Sequence, residues 1–141
     1  DIVLCNAIDD RHPDHPNSAS LVSTACFLAG LTKIETEFDG AVQSAWRPQQ
    51  VLHYIQWKPI KPDFVIDITG YMDTKLAAVK AYRSQFHDPT SSEPETLISS
   101  KQFLDSVNYR ASDLGRLIGV EYAEGFTSDK LIGLDRLDQL L

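Results

Sequence analysis

The chain has 141 residues, of which 43% are apolar and 23% charged, an ordinary globular composition with enough length to bury roughly two-thirds of the unfolded surface. Thirteen basic and twenty acidic residues leave a net charge of −7, which excludes the basic stripe that nucleic-acid binding requires. No apolar run approaches the roughly 18 residues of a membrane span, and no signal-peptide or lipidation pattern is visible.

Ile2–Asn6 is predicted to be a short strand, apolar on both faces as in a parallel sheet. The chain therefore opens on a strand already in progress, with no Met before Met72, and reads as a piece of a longer protein. A polar loop follows over Ala7–Pro13. A helix is expected from Pro13 or Pro16, since proline is tolerated in the first turn. Its inner stripe runs through His15, Ser18 or Ala19, Val22, Cys26 and Ala29, with Gly30 as the terminating C′ residue. Thr32–Pro48 is polar and is predicted to be a loop. Gln50–Gln56 and Phe64–Ile68 are predicted strands, joined by a proline-rich connector. Tyr71–Phe86 has helical spacing and good helix formers. Ser99 and Gln102 suggest a capping box for a helix running to Ile118, stopped by Gly119. Val120–Phe126 is expected to be extended, and Asp135–Leu141 a short terminal helix. Strands alternating with helices make the fold class α/β, in one domain. Cys5 and Cys26 read as buried free thiols, which points weakly to a cytoplasmic protein.

The chemistry is concentrated in Asp9-Asp10-Arg11-His12-Pro13-Asp14-His15. This run follows a candidate parallel strand, and loops at the carboxyl ends of such strands are where open α/β sheets bind ligands. His15, on the first helical turn, is placed inward and suits a metal ligand whose second nitrogen is fixed by an acceptor. His12 lies three residues earlier, and Asp14 could hold a histidine N–H in a chosen tautomer. The competing reading is a solvated acidic loop, because His-x-x-His is a short pattern. His53 is expected to be a half-buried strand residue and His87 a surface residue. A catalytic zinc keeps three protein ligands, and no second compact cluster completes the set.

At this point the residues resemble a known family. Arg11-His12-Pro13-Asp14-His15 before a helix ending at Gly30 resembles the second signature of the LmbE/PIG-L zinc-dependent N-deacetylases. Phe64–Ile68 is similar to the strand before that family's long helix. Lys80–Phe86 (KAYRSQF) and Gly119–Phe126 (GVEYAEGF) resemble two later segments. The similarity spans essentially the whole chain and is closest to the bacillithiol-biosynthesis branch, which deacetylates N-acetylglucosaminyl-malate.

The resemblance implies a Rossmann-like, mostly parallel sheet flanked by helices, with residues 1–141 forming the C-terminal part of a single deacetylase domain. It implies Zn2+ as cofactor, with His15 as one ligand and the remaining ligands and the base in an N-terminal half of the same protein. His12 matches the histidine that stabilises the oxyanion and protonates the leaving amine, and Asp14 the carboxylate that orients it. Arg11 and Arg47 become candidates for binding the substrate, a small N-acetylated sugar. A homo-oligomer is an open alternative, with the apolar tail Leu137, Leu140 and Leu141 as one candidate interface. Ser84 and Gln85 are expected to be structural, and Tyr122 and Phe126 to lie in the core. Two departures stand out. Phe103 is the nearest aromatic to where some members carry a tyrosine hydroxyl, and Pro16 follows the HPDH run. The isolated chain is expected to be inactive. The alternatives are a non-catalytic metal-binding or assembly module, or an amidase acting on a thiol-sugar conjugate.

Overall fold

A computed structural model describes residues 1–140. The fold is α/β, with strands β1 (Ile2–Cys5), β2 (Glu37–Phe38), β3 (Ala41–Val42), β4 (Gln50–Tyr54), β5 (Phe64–Asp67) and β6 (Ala123–Ser128). Its helices are α1 (Asp14–Ala29), α2 (Met72–Lys80) and α3 (Lys101–Ile118), with 3-10 turns at Thr69–Tyr71 and Leu137–Leu140. Four strands make one sheet in the order β1-β4-β6-β5. The sheet is mixed: β1 pairs parallel to β4, and β4 antiparallel to β6.

The chain forms two compact units. The first contains Asp1–Phe64 and the segment from Phe126 onward. Here β4 is the central strand, burying Val51, Leu52 and His53. It can do so because it has hydrogen-bonded neighbours on both sides. β1 differs from expectation. Cys5 is buried, but Ile2 and Leu4 are 63% and 60% exposed, since side chains alternate along a strand and one face of β1 is uncovered. On α1 the residues that are not exposed are His15, Pro16, Ser18, Ala19, Val22, Ser23 and Cys26, which contain the predicted stripe apart from the exposed Ala29. Only Ala19 is fully buried.

Two local expectations for this unit are corrected. Gly30 ends α1 with φ −84° and not in the left-handed region. A Cβ there would meet the Arg47 guanidinium, the end of a flexible side chain that can move aside. The Thr32–Pro48 loop contains a β2–β3 hairpin turning at Asp39 (φ 50°) and Gly40 (φ 77°). Asp-Gly with both φ positive is a tight hairpin turn chemistry, legible in the sequence but not drawn from it.

The second unit spans Val65–Gly125. Its core joins Ile68, Met72, Val107 and Ala111, with Leu76 and Tyr122 packed against them. Gly119 takes φ 78° and stops α3 as expected. The cap at the other end is Ser100, whose Oγ accepts the Phe103 N–H at 3.1 Å. Ser99 instead bonds to Thr96, so the cap lies one residue later than expected and, with Phe103 three residues on, it is a single cap and not a capping box. α2 ends at Lys80, six residues before the expected Phe86. Beyond it, Phe86 turns to meet the Phe103 ring at 5.7 Å, and this contact takes the place of further helix. Leu141, part of the expected terminal helix and apolar tail, lies outside the described residues.

Candidate functional site

The loop Asn6–Pro13 connects β1 to α1, and its geometry is set by polar contacts from β4 and the residues just after it. The Asn6 amide donates to Gln56 Oε1 at 3.1 Å. The Trp57 N–H donates to Asp10 Oδ2 at 3.1 Å. Lys58 Nζ pairs with Asp9 Oδ1 at 2.6 Å, and the Arg11 guanidinium sits 5.7 Å from the Trp57 ring centre. A surface loop rich in charge is thereby tied at several of its residues to one neighbouring segment, which reduces the entropy that a ligand would otherwise have to remove.

His12 and His15 are brought together, their ring centres 5.6 Å apart. His12 is half-exposed, and its Nδ1 accepts the Asp14 backbone N–H at 3.3 Å. The same nitrogen lies 3.6 Å from Asp14 Oδ2. These two partners serve different protonation states. The amide N–H satisfies Nδ1 when it is a lone pair, and the carboxylate faces it when it carries a proton.

Asp10 is the buried member of the group, its side chain 1% exposed. It accepts the backbone N–H of Arg11 and that of Trp57. His15 Nδ1 is 3.1 Å from Asp10 Oδ2. That nitrogen is shielded from solvent but makes no aligned hydrogen bond among the described residues, and the carboxylate is the ion-pair partner within reach of it. Neutral imidazole binds a metal through one nitrogen while the other donates to a carboxylate or carbonyl. His15, with Nδ1 beside a buried carboxylate, fits that donor chemistry. Among the described residues, no three His, Cys, Asp or Glu side chains converge on one point.

Arg47 is placed elsewhere. Its guanidinium donates to the Phe27 carbonyl at 2.9 Å and stacks 4.9 Å from the Phe27 ring centre. Phe27 lies roughly 18 Å beyond His15 along α1, so Arg47 is not gathered with the histidines. Its charge instead meets a carbonyl of the last helical turn, which also accepts the Gly30 N–H, at a helix C-terminus where cations are favoured.

His53 is the residue whose environment the sequence concealed most. It is not half-buried but 1% exposed. Its Nδ1 is 2.8 Å from the Asn6 carbonyl and 3.2 Å from Cys5 Sγ, and its Nε2 is 2.8 Å from Asp129 Oδ1. The Asn6 carbonyl can only accept, so the ring nitrogen is the donor of that bond, and the other ring nitrogen faces the carboxylate. This pair holds the start of the loop to the end of β6. The partner sits 76 residues away, and no local pattern announces it. Burial pushes the Cys5 thiol up to about 11, with Asp129 as a lesser cause, which makes Cys5 an inert core thiol. His53 and Asp129 also line a cavity of about 150 Å³ with Pro16, Ser20 and Ser23. Ligand sites for molecules of sugar-conjugate size are several hundred Å³, so this cavity is too small for one.

No family model matches the chain. Among solved structures it is similar to the conserved protein TT1542 from Thermus thermophilus, at 29% identity and TM-score 0.76, covering 94% of this chain and 53% of that one. It is also similar to N,N'-diacetylchitobiose deacetylase from Pyrococcus horikoshii, solved with its inhibitor MPG, at 28% identity and TM-score 0.65, covering 91% and 45%. The 4-carboxy-2-hydroxymuconate hydratase GalB from Pseudomonas putida shares the fold at 22% identity and TM-score 0.65, covering 96% and 55%. The chain thus spans about half the length of the solved structures it matches. No helix among the described residues is long and apolar enough to cross a membrane.

Proposed function

We propose that this chain is the C-terminal part of a zinc-dependent N-deacetylase that hydrolyses the acetamide of an N-acetylglucosamine conjugate. The observation that carries the reading is the gathering of His12, Asp14 and His15 where the loop after β1 meets the first turn of α1. The likeness to a sugar deacetylase over 91% of the chain supports it. N-acetylglucosaminyl-malate, the bacillithiol precursor, is the substrate we favour, in a cytoplasmic enzyme.

In this reading His15 holds zinc through Nε2, and the upstream half of the full-length protein provides the other ligands and the base. Bound zinc supplies Lewis acidity toward the acetyl carbonyl and lowers the pKa of its water to about 7. His12 donates a proton to the leaving amine, a general-acid role worth roughly 10²–10⁴-fold in rate. Asp14 faces Nδ1 of His12, so the proton is given from Nε2 while Nδ1 keeps its own proton and its carboxylate partner before and after transfer. Arg11 offers a guanidinium fork to substrate hydroxyls or a carboxylate. Arg47 can bind substrate only by giving up the Phe27 carbonyl and ring.

Acetate release and zinc content of the full-length protein and of His15→Ala test the proposal. The variant should lose both, while His12→Ala should keep zinc and lose turnover. Unchanged activity and zinc in His15→Ala would reject it. One observation favours a non-catalytic metal-binding or assembly module: no three potential ligands converge among the described residues. Zinc bound by the full-length protein without any deacetylation would select that reading.

A further inference from the structure

The HPDH run accounts for His12, Asp14 and His15, but not for the buried carboxylate beneath them. Asp10 is 6% exposed as a residue and its side chain 1% exposed. An ionised carboxylate in such a position requires compensation. Two backbone N–H groups supply part of it, Arg11 N–H to Oδ1 and Trp57 N–H to Oδ2. The Oδ2 atom has a second lone pair, and it faces His15 Nδ1 at 3.1 Å. That nitrogen is solvent-shielded and makes no aligned hydrogen bond among the described residues. A carboxylate oxygen with a free lone pair therefore lies within bonding distance of a ring nitrogen that still needs a partner, and a small rotation of the ring would align them.

We propose that Asp10 is a positioning residue for His15: it accepts the Nδ1–H, fixes the tautomer, and thereby presents Nε2 as the lone pair available to a metal. The inference rests on the reading of His15 as a ligand. The anchoring is directional. Trp57 follows β4, the central strand, and its amide fixes Asp10 Oδ2 relative to the sheet. The ring of His15 is thus referenced to the sheet through one carboxylate, and not only to the first turn of α1. Partners of this kind change metal affinity by about 10–100-fold when removed.

The test measures zinc affinity of the full-length protein by competition with a chromophoric chelator. Asp10→Asn should weaken zinc binding about 10–100-fold, and Asp10→Glu should recover part of the loss by restoring a carboxylate. His15→Ala should bind no zinc at this site. If Asp10→Asn binds zinc with wild-type affinity while His15→Ala loses it, the proposal falls and the ligand reading stands. If His15→Ala keeps wild-type affinity, the ligand reading itself falls. A second measurement needs no variant to fold: nitrogen chemical shifts of the His15 ring in the zinc-loaded wild-type protein. A protonated Nδ1 with a metal-bound Nε2 supports the proposal, and metal on Nδ1 overturns it.

Discussion

Replacing His53 by alanine is expected to destabilise the first unit by about 3–4 kcal/mol. The magnitude follows from what the ring touches. The Asn6 carbonyl at 2.8 Å loses its donor, a deficit of about 1 kcal/mol or more for a buried acceptor. Asp129 loses a charge-assisted bond at 2.8 Å. Its side chain is 40% exposed, so water recovers part of that and the low end, about 1.5 kcal/mol, applies. The imidazole volume at a site 1% exposed becomes a cavity costing about another 1 kcal/mol. Trp46 and Trp57, the two tryptophans of the sequence, both lie in the first unit, so their fluorescence reports its unfolding. With an m-value of about 2 kcal/mol per molar urea, the midpoint should fall by roughly 1.5–2 M. Asp129→Asn, which keeps an acceptor oxygen, should cost less than half as much. A His53→Ala midpoint within about 0.3 M of wild type would refute the reasoning, because it would mean that neither hydrogen bond stabilises the native state.

Three further outcomes are expected. The Cys5 pKa is raised from 9.0 to about 11. The folded state therefore holds its proton longer than the unfolded state, and the contribution is complete below pH 9 and lost as pH rises through 11. Wild type should lose stability over that window more steeply than Cys5→Ala in denaturant titrations, and equal slopes would contradict the shift. Gly115→Ala should cost about 1–3 kcal/mol in thermal or urea unfolding, since its Cβ would meet the Glu121 carbonyl oxygen at 2.7 Å and backbone cannot swing aside. Ser100→Ala should cost about 1 kcal/mol by removing the α3 cap, whereas Ser99→Ala should cost clearly less. The reverse order would restore the capping position read from sequence.

Helix α3 shows how much was legible locally. Its start, its glycine stop and its length follow from residues in contact along the chain, and the one-residue error in the cap arises because Ser99 and Ser100 are equally good cap chemistry. Only the competition with Thr96 separates them. The placement of His15 on the inner stripe of α1 is legible for the same reason, since a helical period of 3.6 places side chains without reference to the rest of the molecule. Both glycines were legible as stops, but only Gly119 takes a positive φ, while Gly30 ends α1 at φ −84°.

By itself, the sequence determined that the chain is α/β and that two histidines and three carboxylates crowd into the Asp9–His15 run. It also placed one histidine of that run inward on a helix. Those properties depend on spacing and residue type over a few turns. Tertiary structure alone decided what surrounds them. Asp10 became a buried carboxylate under His15 because the Trp57 amide arrives beside it. His53 became a sealed ion-pair member because Asp129 returns to it from the far end of the chain. Arg47 went to a helix end because Phe27 offered a carbonyl and a ring there. In each case a polar side chain could have met several partners, and the one it found was set by which backbone groups the sheet brought within about 3 Å of it.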